Sequence, residues 1–395
     1  MVTIEHPLHA FPIVFVHGLA GWGGEAGLNR AIPYWGGEAG STTKHLNAQG
    51  YECYAASVGP FSSAWDRVCE LYAQLTGTRT DYGAAHAAAH GHTRYGQIHA
   101  DPLVPGWDTE RKIHLVGHSF GGATVRLLAQ LMEEGSAEER AVTPEEELSP
   151  LFGGTLAGRI LSITTIAAPH NGSTILEPEV NSGAEMLSFM TGVAHAAAEL
   201  PLMDHLYPAH LEQFGITYED HRRDPRKTAD ALQAFIDSAD CARRDLSVDG
   251  AAALNKTIRC QPGIYYFSYA AIKTEADAEG NHVPQKGMMP PLRNKAADMG
   301  RRHEPYLTAG GMLIDDAWLP NDGQVNVISA LYPFDEPHMD FDRDRLCPGV
   351  WQVMPVIEGR DHLTVVAAAE PWGSVHFIRE FYLSLAEMLM GIEKL

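Results

Sequence analysis

Short runs of β-branched and aromatic residues bounded by glycine recur along the chain: Pro12-Ile-Val-Phe-Val16, Tyr51-Glu-Cys-Tyr-Ala55, Lys112-Ile-His-Leu-Val116, Ile160-Leu-Ser-Ile-Thr-Thr-Ile166, Gly263-Ile-Tyr-Tyr-Phe-Ser-Tyr269 and Val353-Met-Pro-Val-Ile357. These read as strands. Three are almost continuously apolar, as strands buried on both faces of a parallel sheet must be, and Gly122–Glu134 and Val375–Met390 carry apolar residues at helical spacing. The pattern predicts a mostly parallel, doubly wound α/β sheet in a single domain spanning residues 1–395. Two stretches depart from it. Ser173–Asp240 has no clear strand, places Met186, Leu187, Met190, Val193, Ala197 and Leu200 at helical spacing, and is broken by Pro201, Pro208 and Pro225. It reads as a helical insertion, about 173–240. Thr274–Trp318, rich in Pro, Gly and Met, reads as part of an irregular excursion over about 271–320, the kind of long loop that forms binding regions. Both are expected over one end of the sheet.

Composition narrows the function. The chain has 395 residues, 45% hydrophobic and 20% charged, with no low-complexity tract, which excludes disorder, collagen and coiled coil. Apolar runs such as Ile13–Val16 and Leu363–Ala369 fall far short of the roughly 20 residues that cross a bilayer, so no integral membrane segment is expected. Fifty acidic against 29 basic residues give a formal charge of −21, which repels nucleic acid and suits an uncharged substrate. Five cysteines, Cys53, Cys69, Cys241, Cys260 and Cys347, are odd in number and form no Cys-x-x-Cys, so free buried thiols are expected. Met1–Ala10 carries Glu5 and no basic leader pattern, so either the protein is intracellular or a leader is not present in this chain.

The sharpest chemical signal is Gly117-His118-Ser119-Phe120-Gly121, directly after one predicted strand and directly before a predicted helix. That is the nucleophile elbow of the α/β-hydrolase fold in its required context. The turn forces the serine into strained φ/ψ and leaves no space beside it for larger side chains, while the helix N-terminus behind it favours developing negative charge. A serine falling by accident in a glycine-rich turn would not need that strand and helix. His17-Gly18-Leu19 closes the first strand, so the amides of Leu19 and Phe120 are the expected oxyanion-hole donors, and His17 reads as structural. The fold's chain order asks next for an acid and then a histidine. His362, in Glu358-Gly-Arg-Asp-His362 after a strand-like segment, is the expected base. His376 lies on a helical pattern and reads as solvent-facing, and His282, His303 and His338 sit in irregular segments. Asp322, in Asn321-Asp-Gly323 before the strand-like Val325–Ile328, is the expected acid, although it also reads as a plain turn residue and Asp315 and Asp316 compete with it.

Beyond these, the chain holds His17-Gly-Leu-Ala-Gly-Trp-Gly23, Tyr34-Trp-Gly-Gly37, Val58-Gly-Pro-Phe-Ser-Ser63 with Trp65-Asp-Arg67, Asp81-Tyr-Gly-Ala-Ala-His86 with His90-Gly-His92, Thr164-Thr-Ile-Ala-Ala-Pro-His-Asn-Gly172 and Asn321-Asp-Gly323. In order and approximate spacing this set resembles the thermoalkalophilic bacterial lipases, the bacillus and staphylococcus triacylglycerol lipases, over nearly the whole chain. The resemblance implies Ser119, Asp322 and His362 as nucleophile, acid and base, and Leu19 and Phe120 at the oxyanion hole. It also implies a zinc site joining a small extra region, about 60–100, to the sheet through Asp66, His86, His92 and Asp240, with His90 outside the shell. Two imidazoles and two carboxylates close a tetrahedral set with no position for water, so that zinc is expected to be structural. The family further binds calcium through acidic residues just after the catalytic histidine. Here that stretch reads His362-Leu-Thr-Val-Val-Ala-Ala-Ala-Glu370, with Glu370 the one remaining carboxylate, so calcium stays open.

The resemblance thus implies a secreted lipase or carboxylesterase acting on acylglycerols and other hydrophobic esters at a lipid–water interface, with polyesters as a further substrate class. The many Met and Leu residues of the 173–240 insertion read as the apolar inner face of a lid, or equally as ordinary core. Against it stand a non-catalytic, zinc-stabilised binding protein on a hydrolase scaffold, and a hydrolase of another ester class such as phospholipids or thioesters. The intact serine, aspartate and histidine argue against the first. Ser119 in the nucleophile place also argues against epoxide chemistry, which calls for aspartate.

Overall fold

The computed structural model describes residues 11–177, 188, 192, 203–368 and 374–394. Seven strands form the central sheet: β1 (Ile13–Val16), β2 (Cys53–Ala56), β3 (Ile113–His118), β4 (Ile160–Ile166), β5 (Tyr265–Tyr269), β6 (His338–Asp340) and β7 (Trp351–Val353). They lie in the order β6-β7-β5-β4-β3-β1-β2, and each neighbouring pair is parallel. Parallel strands need crossovers, and their helices cover both faces. Helices α1 (Ala64–Thr76) and α3 (Gly121–Glu134) cover one face, and α5 (Ser374–Ile392) covers the other. Between α1 and α3 lies the short α2 (Ala84–His90).

Period-two alternation sorts the core. Val14 and Val16 of β1 enter one apolar cluster with Val68, Leu71, Leu128 and Trp351, whereas Ile13 and Phe15 enter a second with Phe267, Tyr382, Leu385 and Leu389. Five of the six predicted strands match their segments to within two residues. Val353–Ile357 does not form one strand. Pro355 has no N–H to give to a ladder, so β7 ends at Val353 and Ile357–Glu358 pairs separately with Ala271–Ile272. Nor is Val325–Ile328 a strand: Val327–Leu331 is a short helix. The excursion after Ile272 is more ordered than its composition suggests, with hairpins pairing Thr274–Ala276 to His282–Pro284 and Tyr306–Leu307 to Leu313–Ile314 around a helix at Pro290–Met299.

Within the predicted helical insertion, Met203–Leu206, Tyr218–Arg223 and α4 (Pro225–Asp237) are helical. Met186, Leu187, Met190, Val193, Ala197 and Leu200 lie outside the described residues. Cys53, Cys69 and Cys241 are buried free thiols as expected, but Cys260 is half-buried and Cys347 is exposed. No described helix is long and apolar enough to cross a membrane.

Leu128 is fully buried where α3 packs on the sheet. Leu128→Ala is therefore expected to cost about 2–5 kcal/mol, read as a lowered urea midpoint with an unchanged slope.

Candidate active site and metal cluster

Ser119 sits between β3 and α3 with φ of +54°, a conformation that costs a non-glycine residue of order 1–3 kcal/mol and persists only where its surroundings impose it. They do so here. The Ser119 N–H donates to the Ile166 carbonyl at 2.9 Å, and the Gly122 N–H donates to the Ser119 carbonyl at 2.9 Å, so the turn is held from the sheet side and the helix side. A Cβ on Gly121 would overlap the Val16 carbonyl oxygen, and one on Gly18 would come within 2.6 Å of the Ser119 Cβ. The ends of β1 and β3 touch only because both positions lack side chains.

His362 Nε2 lies 2.9 Å from Ser119 Oγ, and His362 Nδ1 lies 2.8 Å from Asp322 Oδ2. All three residues are buried. The second Asp322 oxygen accepts the amides of Gln324 at 2.9 Å and Val325 at 2.7 Å, which fixes the carboxylate plane, and the His362 N–H donates to the Asp322 carbonyl at 3.0 Å. With its Nδ1–H given to a carboxylate, the imidazole presents a lone pair at Nε2 toward the hydroxyl.

The other candidates fall elsewhere. Asp315 caps the turn at Asp316–Trp318, accepting the Ala317 amide at 3.0 Å, and Asp316 is an exposed partner of Arg302 at 3.5 Å. His376 is exposed beside Glu380, His338 stacks on Tyr332 at the sheet edge, and His282 and His303 flank the Pro290–Met299 helix. His17 is buried, with Nδ1 2.9 Å from the Gly18 carbonyl and Nε2 accepting from the Val58 amide. Burial, reinforced by Arg67, pushes its pKa well down, in keeping with a structural neutral ring.

Among the described residues, neither the Leu19 nor the Phe120 amide donates to a protein acceptor. Both residues follow one side of the Gly18–Ser119 contact in sequence, so each carries a backbone N–H without a protein partner beside it. Ala20, at φ of +54°, donates to the Pro60 carbonyl at 3.0 Å and fixes the loop behind Leu19. One network joins this loop to His362: the Gly18 N–H donates to the Tyr34 hydroxyl at 3.0 Å, that oxygen lies 2.6 Å from His118 Nδ1, and His118 Nε2 lies 3.1 Å from the His362 carbonyl. Burial and the neighbouring His362 hold the His118 pKa well below normal, and the neutral ring donates from Nε2 while accepting from Tyr34. Tyr34 and His118 are 84 positions apart, and no spacing rule would have paired them.

The second cluster is Asp66, His86, His92 and Asp240, whose ligand atoms all lie within 4.8 Å of one another. Ser63 caps α1 through the Asp66 amide, placing Asp66 in the first turn, and Glu139 accepts the Ala85 and His86 amides at the start of α2. His86 Nε2 is 3.2 Å from both carboxylates, and His92 Nε2 is 3.1 Å from Asp240 Oδ2. Burial raises the Asp66 pKa, the His86 hydrogen bond opposes that rise, and the facing Asp240 adds to it. Two buried carboxylates at this range demand positive charge between them. His92 Nε2 and both Asp240 oxygens satisfy no hydrogen bond of good geometry, whereas His92 Nδ1 lies 2.9 Å from the Thr93 carbonyl and Gln213 Nε2 donates to Asp66 Oδ2 at 2.9 Å. The outer atoms are tied and the inner atoms face a common point, the donor arrangement of a metal ion with its supporting shell. His90 is outside this set, its ring 4.4 Å from that of His86. Gln213 and Glu139 escaped the sequence, where neither carries a motif.

Calcium fits poorly after His362. Thr364 and the alanines there offer no carboxylate, Glu370 lies outside the described residues, and Asp361 is engaged by Met289, Leu363 and Thr364.

Three comparisons bear on these arrangements. Residues 9–395 match the family model described as "Lipase-like, C-terminal domain". The chain is 34% identical to a Staphylococcus hyicus lipase, covering 99% of this chain and 59% of that protein, and the Staphylococcus hyicus lipase crystal structure superposes with a TM-score of 0.85 over 99% of this chain and 98% of that one. EstA from Clostridium botulinum gives a TM-score of 0.81 at 34% identity over 97% and 87%, and lipase 1 from Pelosinus fermentans 0.79 at 35% over 97% and 99%. The chain spans about half the length of the curated relatives it matches.

Asp240→Ala is expected to abolish retention of one divalent cation per chain and to lower the melting temperature, as metal analysis and calorimetry on one preparation will read.

Proposed function

The chain belongs to the family of lipase-like C-terminal domains, and from that membership we propose that it hydrolyses carboxylic esters of hydrophobic acids, acylglycerols first among them, outside the cell. The observation that carries this reading is the run of hydrogen bonds from Ser119 through His362 to Asp322 at 2.9 and 2.8 Å, beginning on a strained strand-to-helix turn. Ser119 Oγ attacks the ester carbonyl as its proton passes to His362 Nε2. Asp322 stays ionised, holds the tautomer and stabilises the imidazolium. The tetrahedral oxyanion accepts from the Leu19 and Phe120 amides. His362 then returns the proton to the departing alcohol, and a water activated by the same nitrogen releases the acid. Asp66, His86, His92 and Asp240 would hold zinc as a structural ion, since four protein donors leave no open position for chemistry.

An apolar substrate is supported by the surroundings. Exposed Leu206 ends the Met203–Leu206 helix beside Tyr207, whose ring contacts Trp22, and Trp22 Nε1 donates to the carbonyl of exposed Ile32 at 2.9 Å while its ring packs on Tyr34, which holds Gly18. Leu19, Ala20 and Trp22 pack against the apolar cluster of Tyr207, Leu211, Leu232 and Phe235 from the 173–240 insertion. That contact supports the insertion as a lid resting on the oxyanion loop. A lid of this kind predicts a steep rise in rate as tributyrin passes its solubility limit, and a smooth saturation curve through that limit removes it.

With p-nitrophenyl butyrate, Ser119→Ala is expected to lower kcat by about 10⁴-fold or more, with about one zinc still bound. Undiminished activity in that variant would name a different nucleophile. A folded, zinc-loaded wild type without esterase activity would favour a binding protein.

A further inference from the structure

Lys273 is buried, 7% exposed, and belongs neither to the hydrogen-bonded trio nor to the metal cluster. Its ammonium donates to the Gly287 carbonyl at 2.8 Å and lies 3.8 Å from Asp361 Oδ2. Its backbone binds as well: the N–H donates to the Asn321 carbonyl at 3.2 Å, and the carbonyl accepts from the Gln285 amide at 2.9 Å. Thr274 beside it exchanges hydrogen bonds with the Asn321 backbone in both directions at 3.1 Å. One short stretch therefore grips the residue before Asp322, the 285–287 loop, and the residue before His362.

Asp361 is the receiving end. Its Oδ2 accepts the Met289 amide at 2.9 Å, and its Oδ1 accepts the Thr364 amide at 2.9 Å and the Leu363 amide at 3.2 Å, closing the turn around His362. A buried carboxylate needs a compensating positive charge, and among the described residues the ammonium of Lys273 is the cation that reaches it. The resemblance would put calcium close by, yet among the described residues from His362 to Ala368 there is no carboxylate to offer an ion that takes six to eight oxygens. A tethered ammonium beside Asp361 does the work for which a hard cation would otherwise be needed.

We infer that Lys273 is a positioning residue whose ammonium is the fixed cation holding the Asp361–His362 turn against Gly287, so that the base keeps its geometry without bound calcium. The inference rests on the reading of His362 as the base. In zinc-loaded protein, Lys273→Met is expected to lower kcat by about 10- to 100-fold with KM nearly unchanged, because a displacement of about 1 Å in the reacting groups is costly. Asp361→Asn should do the same, and the double variant should be little worse than either single one. A variant that only melts earlier, with wild-type kcat well below its melting temperature, overturns the inference. The wild type decides independently. Stripped of calcium with zinc replenished, it should gain neither melting temperature nor kcat from calcium added to about 10 mM, above the weakest protein calcium sites. A calcium-dependent rise in melting temperature overturns the inference even if the protein proves to have no esterase activity, an outcome that would separately defeat the hydrolase reading.

Discussion

The site depends on how closely the ends of β1 and β3 approach each other. Gly18 touches the Ser119 Cβ position and Gly121 abuts the Val16 carbonyl, so the first loop and the elbow share a contact with no room for a single methyl group. That contact, with the Ile166 hydrogen bond, confines Ser119 to its left-handed backbone. The strain is carried by a parallel sheet buried on both faces, where seven strands leave the turn no alternative course.

The remaining chemistry is hung on this frame by polar contacts that join distant loops. Asp322 and His362 share a backbone hydrogen bond as well as the one between their side chains, and Tyr34 with His118 links the oxyanion loop to the carbonyl of His362. Arg67, fully buried, spans the Gly59 and His17 carbonyls and Thr124, so α1 is bound both to the first loop and to α3. The same helix carries the residue before it, Asp66, into the candidate metal cluster. A cation bound there would stiffen the element that supports the oxyanion loop, which connects a structural metal to the site without placing it in the reaction.

Much of this was legible in the sequence because the decisive signals are local. Glycine at fixed offsets around Ser119, a continuous apolar β3 and the α3 periodicity are properties of neighbouring residues, and they pointed to the Ser119 turn and to the sheet. Asp322 and His362 were legible only through chain order and the family resemblance, since Asn321-Asp-Gly323 looks like any turn and becomes distinctive only when Val325 and Gln324 orient its carboxylate. Pattern failed where a single residue overrode it: Pro355 split one expected strand, and Val327–Leu331 coiled where branched residues suggested extension. Lys273, Gln213 and the Tyr34–His118 pair were invisible. Their meaning lies in contacts across 14 to 147 positions, which no spacing encodes.

The measurement that bears most directly on the central claim is reaction of the protein with a p-nitrophenyl organophosphate, followed by peptide mass mapping. The account predicts one phosphoryl group per chain, on Ser119, with loss of esterase activity in proportion to labelling, and very slow labelling in His362→Ala. Labelling at any other residue, or full inactivation with Ser119 unmodified, would contradict it.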